Sequence, residues 1–254
     1  MQECELKYYE RIGNWDFSQI KYKTEDLTNW EFYKKIRENS DERSLCLDLG
    51  TGGGERLLEN YPDVGMIIAT DFSEEMIKTA KQNAKKYPNK RVRFTQMNNL
   101  EMSFPKETFD LISARHTVIN AKQLYDCLVP GGTIVIRGVD QKDCWEIKEL
   151  FGRGQAYKDE IAISEKDYLD LKEAGFKSIE KVEILQNEYY ETEDDLIALL
   201  LKTPILDDFS EISGEDFEHR TIVERDLFDV YVKMYKTEKG VLLKRVLYGI
   251  VAKK

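Results

Sequence analysis

The chain has 254 residues, 41% of them hydrophobic, and its 38 basic and 48 acidic side chains give a formal net charge of −10. That length and apolar content suit one α/β domain with insertions, and so negative a surface repels phosphate and disfavours broad nucleic-acid binding. The four cysteines, Cys4, Cys46, Cys127 and Cys144, are scattered with no Cys-x-x-Cys pair, which argues against a metal site or a disulfide framework and fits a reducing, cytoplasmic setting.

Residues 1–42 are charged and rich in aromatics, among them Tyr8, Tyr9, Trp15, Tyr22, Trp30 and Tyr33. Cap-type residues at Ser18-Gln19-Ile20 and Thr28-Asn29-Trp30 predict two short helices with a loop between them. The rings either pack on a sheet or roof a ligand pocket, where an aromatic face attracts a cation. A first strand is expected over Arg43–Leu49, a helix over Gly54–Asn60, and a second strand over Gly65–Thr70. Ser73-Glu74-Glu75 caps a further helix, whose Met76, Ile77, Ala80 and Ala84 recur at helical spacing. Strands follow at Val92–Gln96, Phe109–Ala114 and Thr133–Arg137, the last preceded by a Pro130-Gly131-Gly132 turn. Helices over Lys142–Phe151 and Ser164–Ala174 lead to a strand at Ile179–Leu185.

Residues 186–240 then break the strand-helix rhythm. One helix is expected around Asp194–Leu201, ended at Thr203-Pro204, and a longer one around Gly214–Tyr235. The acid-rich run here reads first as a solvated face. Val241–Ala252 is a closing strand. The whole predicts an α/β fold: a Rossmann-like, seven-stranded, mostly parallel sheet with helices on both faces. It divides into an N-terminal helical cap (1–42), a cofactor-binding core (43–185), a helical lid insertion (186–240) and a closing strand (241–254). No apolar run is long enough to span a membrane, and the N-terminus is polar rather than signal-like.

The chemistry concentrates in Asp48-Leu49-Gly50-Thr51-Gly52-Gly53-Gly54, between the first strand and first helix. Strand, glycine turn and helix start bring a backbone close to a polar ligand. A dinucleotide site wants G-x-G-x-x-G, but counting from Gly50 the third position is Glu55. A P-loop needs Gly-Lys-Ser/Thr, which is missing. Glu55 itself suits the first turn of a helix, with ligand contact as the alternative.

Four stretches together, Asp48 to Gly54, Thr70-Asp71-Phe72-Ser73-Glu74-Glu75-Met76, Phe104 to Asp110 and Leu128 to Gly132, resemble the motifs of class I S-adenosylmethionine (SAM) methyltransferases in order and spacing. The resemblance covers roughly residues 43–140, and Ala174-Gly175-Phe176 before the sixth strand extends it. It implies that Asp48 accepts from the ammonium of SAM, that Gly50, Thr51 and Gly52 approach the same part, and that Asp71 holds the ribose hydroxyls with Phe72 against the adenine. Asp71 as a helix N-cap is the alternative. Asn98 stands where the family usually has an aspartate facing the adenine amino group; an amide oxygen can accept the same bond without the charge. Asn99 can present its backbone N–H to the ring. Either asparagine can instead satisfy its own turn. Arg115 can touch the cofactor or an acidic substrate, and Arg137 is a further candidate for an anionic substrate.

His116, one of two histidines, follows the fourth strand, whose end the resemblance places beside the methyl donor. It is the candidate general base, with substrate contact or a structural role as alternatives. His219 reads as a surface residue. Methyl transfer from a sulfonium is an in-line displacement that depends on alignment and exclusion of water. The expected function is methyl transfer from SAM, with S-adenosyl-L-homocysteine as product, to the O or N nucleophile of a small molecule. Two alternatives stay open. Leu199–Pro204 faintly resembles a segment of some rRNA guanine methyltransferases, although their zinc ribbon and the Asn/Asp-Pro-Pro-Tyr of base-amino methyltransferases are missing. A SAM-binding protein without catalysis is the other.

Overall fold

A computed structural model describes residues 17–207 and 224–254. Tyr8, Tyr9, Trp15, Phe209, Phe217 and His219 lie outside the described residues, as does the start of the helix expected from Gly214.

Among the described residues, nine strands form one sheet. In chain order they are β1 (Tyr22–Asp26), β2 (Leu45–Leu49), β3 (Met66–Asp71), β4 (Val92–Gln96), β5 (Phe109–Arg115), β6 (Leu128–Val139), β7 (Ser178–Tyr190), β8 (Lys236–Thr237) and β9 (Gly240–Lys253). The order across the sheet is β1-β7-β9-β6-β5-β2-β3-β4, with β8 paired to β9. The α/β expectation and all seven anticipated strands are present, and two more are added. β1 corrects the reading of residues 1–42 as helical. All five of its side chains are exposed, so no hydrophobic pattern marks it; its backbone ladder to β7, antiparallel from Tyr22↔Tyr190 to Asp26↔Gln186, specifies it. β7 accordingly continues to Tyr190, five residues into the stretch expected to be helical. β6 starts at Leu128 rather than after the glycine pair, with a shift in register against β5 between Phe109 and Leu111.

Two compact units divide the chain. One comprises residues 1–29, 140–163 and 184–247, the other residues 30–139, 164–183 and 248–254. The first contains helices α5 (Trp145–Phe151), α7 (Glu193–Lys202) and α8 (Arg225–Tyr235). Its core joins Ile147, Phe151, Leu196, Leu200, Phe228 and Tyr231. Thr192 and Asp195 form a reciprocal capping box that starts α7. Part-buried Arg245 binds Asp143 through two nitrogens and also pairs with Glu188, which accepts from Tyr190. Both carboxylates in that cluster accept from the one guanidinium, and the Tyr190 hydroxyl gives Glu188 a further donor, which offsets the cost of burying charge.

The second unit holds the parallel strands β2 to β6 with helices α1 (Phe32–Glu38), α2 (Glu55–Asn60), α3 (Glu74–Asn83), α4 (Ala121–Cys127) and α6 (Ile163–Ala174). β2 and β5 are nearly continuous apolar runs because both faces of a parallel sheet are covered. Ile36, Cys46, Leu57, Ile67, Ala80 and Leu111 form its core. α1 starts one turn later than the Thr28 cap suggested: the Glu31 side chain accepts from the backbone N–H groups of Tyr33 and Lys34. The last strand enters this unit at Tyr248. Gly138 makes room for it, since a Cβ there would lie 2.1 Å from the Tyr248 ring. Among the described residues no helix is long and apolar enough to cross a membrane.

Candidate active site

The carboxyl ends of β2, β3 and β5 lie side by side, so the turns that leave them are neighbours. β2 pairs in parallel with β3 (Leu49↔Thr70) and with β5 (Leu49↔Ala114). Gly50 follows β2 at φ +66°, and a Cβ on it would stand 2.6 Å from Cβ of Thr117 beyond β5. A left-handed backbone and close approach to a neighbouring side chain together require glycine here. Gly54 caps α2 at φ 76° for the same conformational reason.

The loop between is held by its own backbone. Thr51 N–H donates to the Thr70 carbonyl at 2.9 Å and Gly54 N–H to the Thr51 carbonyl at 3.1 Å. Gly52 N–H donates to Asp71 Oδ2 at 2.8 Å, while Asp71 Oδ1 accepts from Ser73 N–H at 2.9 Å. Asp71 therefore ties the glycine loop to the end of β3. The N-cap of α3 is Ser73, whose hydroxyl accepts from Met76 N–H. Glu55 braces the loop: Asn83 Nδ2 donates both to the Gly53 carbonyl and to Glu55 Oε1.

Asp48 and Asp71 bring two carboxylates to this one loop. Asp48 is buried at 6% exposure. Burial pushes its carboxyl up to about 6, and Asp71 adds to the rise; the Ser113 hydroxyl, Thr51 and the Arg115 charge act against it. Burial also raises Asp71, opposed by the backbone donors of Ser73, Gly52 and Phe72. Ser113, opposite Asp48 in the β2/β5 ladder, donates to Asp48 Oδ1 at 2.6 Å. The Tyr61 hydroxyl lies 3.1 Å from the same Ser113 oxygen. Tyr33 on α1 is also near: after burial, the Asp48 charge is the largest influence raising its phenol above the ordinary range, and Arg115 opposes it. Thr51 Oγ1 is buried and has no hydrogen-bond partner among the described residues, although it is near enough to Asp48 to favour the charged carboxylate.

The asparagines do different work. Asn98 Oδ1 accepts from Leu100 N–H at 3.0 Å, closing its own turn. Buried Asn99 accepts from the Thr70 hydroxyl at 3.3 Å and donates to Thr117 Oγ1 at 3.0 Å, so its side chain ties β3 to the turn after β5. Phe72 follows β3, and its carbonyl accepts from Gln96 Nε2. Arg115 is the last residue of β5. His116 comes next with φ 54°, a left-handed conformation uncommon for a non-glycine residue and often found where a site is built. Its Nε2 is 2.7 Å from Arg137 Nη1, and its backbone N–H donates to the Arg137 carbonyl. A guanidinium only donates, so Nε2 accepts in this contact and the ring proton is on Nδ1.

Residues 46–132 match the family model described as a methyltransferase domain. That match places a methyltransferase domain over this stretch of the chain. Among its relatives is a demethylmenaquinone methyltransferase of Lactococcus lactis, 30% identical over 124 residues, 46% of this chain and 49% of that protein. A 2-phytyl-1,4-naphtoquinone methyltransferase of a Nostoc species is 27% identical over 139 residues, 50% of this chain and 59% of the relative. The match thus spans only about half the length of these curated relatives. A solved structure of a putative methyltransferase from Bacillus halodurans shares the fold, with TM-score 0.58, 17% identity, and coverage of 87% of this chain and 98% of that one.

The matched stretch contains the residues singled out in the sequence from Asp48 to His116, and Arg137 lies just beyond it. Nothing in the sequence marks Ser113 or Tyr61 as part of a site. The only local signal for Ser113 is one polar residue inside the apolar run Leu111-Ile112-Ser113-Ala114. Tyr61 reads merely as the end of a helix. Their meeting with Asp48 depends on strand register, which the sequence does not display.

Proposed function

We propose that this chain binds SAM at the Asp48–Gly54 loop and transfers its methyl group to a small-molecule acceptor. The observation that carries the reading is the meeting of two carboxylates, buried Asp48 and part-buried Asp71, at one glycine loop. Both are pushed above the ordinary carboxylate range by burial, and a ligand bearing positive charge and hydroxyl donors relieves both costs. SAM has an ammonium, a sulfonium and two ribose hydroxyls. The buried Thr51 hydroxyl beside Asp48 can meet a polar ligand as well.

Asp48 would hold the ammonium, with Gly50 and Gly52 leaving room for that end. Asp71 keeps lone pairs for the ribose hydroxyls beyond those used by Gly52 and Ser73. Phe72, Asn98, Asn99 and Arg115 are the remaining candidate contacts; Asn98 would use the oxygen lone pair that its own turn leaves over. When bound, SAM supplies an electrophilic methyl on sulfur. The protein then has to position the acceptor and hold its proton. His116 is the candidate for the second task. In the arrangement with Arg137 its Nε2 lone pair is engaged, so it takes a proton there only as that contact opens. The acceptor class is a small molecule: the net charge of −10 disfavours phosphate-rich polymers. The quinone methyltransferases among the relatives make demethylated quinones the first compounds to try.

The test is a transfer assay with isotopically labelled SAM, run against demethylated naphthoquinones, a metabolite extract and total RNA. Label is expected in a small molecule and not in RNA. His116→Ala is expected to lower kcat by roughly tenfold to a hundredfold with little change in KM for SAM. Label found only in RNA overturns the acceptor class, and full turnover by His116→Ala removes it as a base.

A further inference from the structure

Asp48, Ser113 and Tyr61 form a hydrogen-bonded chain that runs inward from the glycine loop. Ser113 is fully buried and Tyr61 is 2% exposed. A serine hydroxyl has one proton and two lone pairs. The 2.6 Å contact to Asp48 Oδ1 takes the proton when that carboxylate is charged, and the Tyr61 hydroxyl then donates into Ser113 at 3.1 Å. The chain is polarised toward the carboxylate, and each bond strengthens the next. When Asp48 is protonated, that direction loses its driving force. Ser113 then has the Leu47 carbonyl at 3.4 Å as another acceptor.

We propose that Ser113 and Tyr61 are positioning residues that set the pH range in which Asp48 is available as an anion, and that SAM binding at low pH is coupled to release of the Asp48 proton to solvent. The proposal rests on the SAM reading given above. The balance is simple: a neutral carboxyl and an ammonium ligand give a carboxylate, a bound ammonium and one free proton. Ligand binding and proton loss reinforce each other by linkage. The titratable groups around Asp48 are Asp71 at the end of β3, Arg115 at the end of β5, Tyr33 on α1, Tyr61 after α2 and Cys46 on β2 itself. Asp71 opposes ionisation and Arg115 favours it. Tyr33, Tyr61 and Cys46 are all raised by burial and stay neutral, so across the acidic range the chain acts through donated hydrogen bonds rather than through charge.

The deciding experiment is calorimetric titration of SAM into wild type, Ser113→Ala and Tyr61→Phe from pH 5 to pH 8, in two buffers with different ionisation heats. Wild type is expected to bind more weakly as the pH falls through about 6 and to release a proton there. In Ser113→Ala the fall begins at higher pH. Its affinity at about pH 6.5 drops by roughly threefold to tenfold while the values at pH 8 converge, because only the ionisation of Asp48 has changed. Tyr61→Phe moves the midpoint the same way by less, and serves if Ser113→Ala folds poorly. Coincident pH profiles in all three proteins, or binding by wild type without proton release, overturn the proposal. Chemical denaturation of the ligand-free proteins over the same pH range gives an independent readout. The midpoint of the loss of stability with rising pH is expected to move upward in Ser113→Ala. If SAM binds at no pH, the functional reading itself has failed; an unmoved denaturation midpoint with SAM still bound refutes the positioning role alone.

Discussion

Gly50→Ala is expected to lower stability by about 2–5 kcal/mol and to abolish measurable SAM binding. Two costs add. A residue with a Cβ in the left-handed region loses roughly 1–2 kcal/mol. The new Cβ also meets Thr117 at 2.6 Å, and overpacking of this kind costs about 1–3 kcal/mol. Thr117 cannot turn away freely, because its hydroxyl accepts from Asn99, which in turn accepts from Thr70. A displaced loop also carries Thr51 and Gly52 away from Asp71. Denaturant unfolding measures the first effect and calorimetry the second. Adding Thr117→Gly removes the clash but not the backbone strain, so the double variant is expected to recover about half of the lost stability. No recovery would place the whole cost in the left-handed backbone of Gly50.

The second large effect trades stability against binding. Asp48→Asn is expected to stabilise the ligand-free protein at pH 8 and to weaken SAM binding more than a hundredfold. The folded-state value of Asp48 is raised, to about 6, so folding holds the proton more tightly than the unfolded chain does. A raised carboxylate makes wild type lose stability as pH climbs from about 4 through 6. A tenfold change in proton affinity is worth about 1.4 kcal/mol, so a rise from 3.8 to about 6 amounts to about 3 kcal/mol, and the net gain from removing the charge is about 2 kcal/mol after the cost of burying the amide. Below pH 4 the two proteins converge. Stability curves at pH 4, 6 and 8 check the sign; an Asn variant less stable than wild type at pH 8 would mean that Asp48 is not strained by burial. The loss of binding follows from removing the anion that faces the ammonium. A residue kept at a cost to folding is the pattern expected of a functional site.

Much of this arrangement is visible in the sequence because it is local. The strands of the parallel sheet announce themselves as apolar runs, Leu45-Cys46-Leu47 and Leu111-Ile112 among them, bounded by glycine or by capping residues. Asp48 and Asp71 are legible because each ends such a run and precedes a helix. Strand β1 is hidden for the opposite reason: its side chains are exposed, and only its ladder to β7 from Gln186 to Tyr190 defines it. The chain from Asp48 through Ser113 to Tyr61 is hidden because its members are far apart in sequence and meet only when β2 and β5 pair in the observed register. Asn98 illustrates a third limit. Its place in the motif suggests a ligand contact, whereas its oxygen already accepts from Leu100, and composition alone cannot rank those two uses of one amide.

The central claim is that the loop from Asp48 to Gly54, closed by Asp71, holds SAM. Calorimetric titration of SAM into wild type and Asp71→Ala at pH 8 tests it most directly. Saturable one-to-one binding is predicted for wild type, with affinity at least about a hundredfold lower in an Asp71→Ala protein that still unfolds cooperatively. Folded wild type that takes up no SAM, or Asp71→Ala that binds as tightly as its parent, would contradict it.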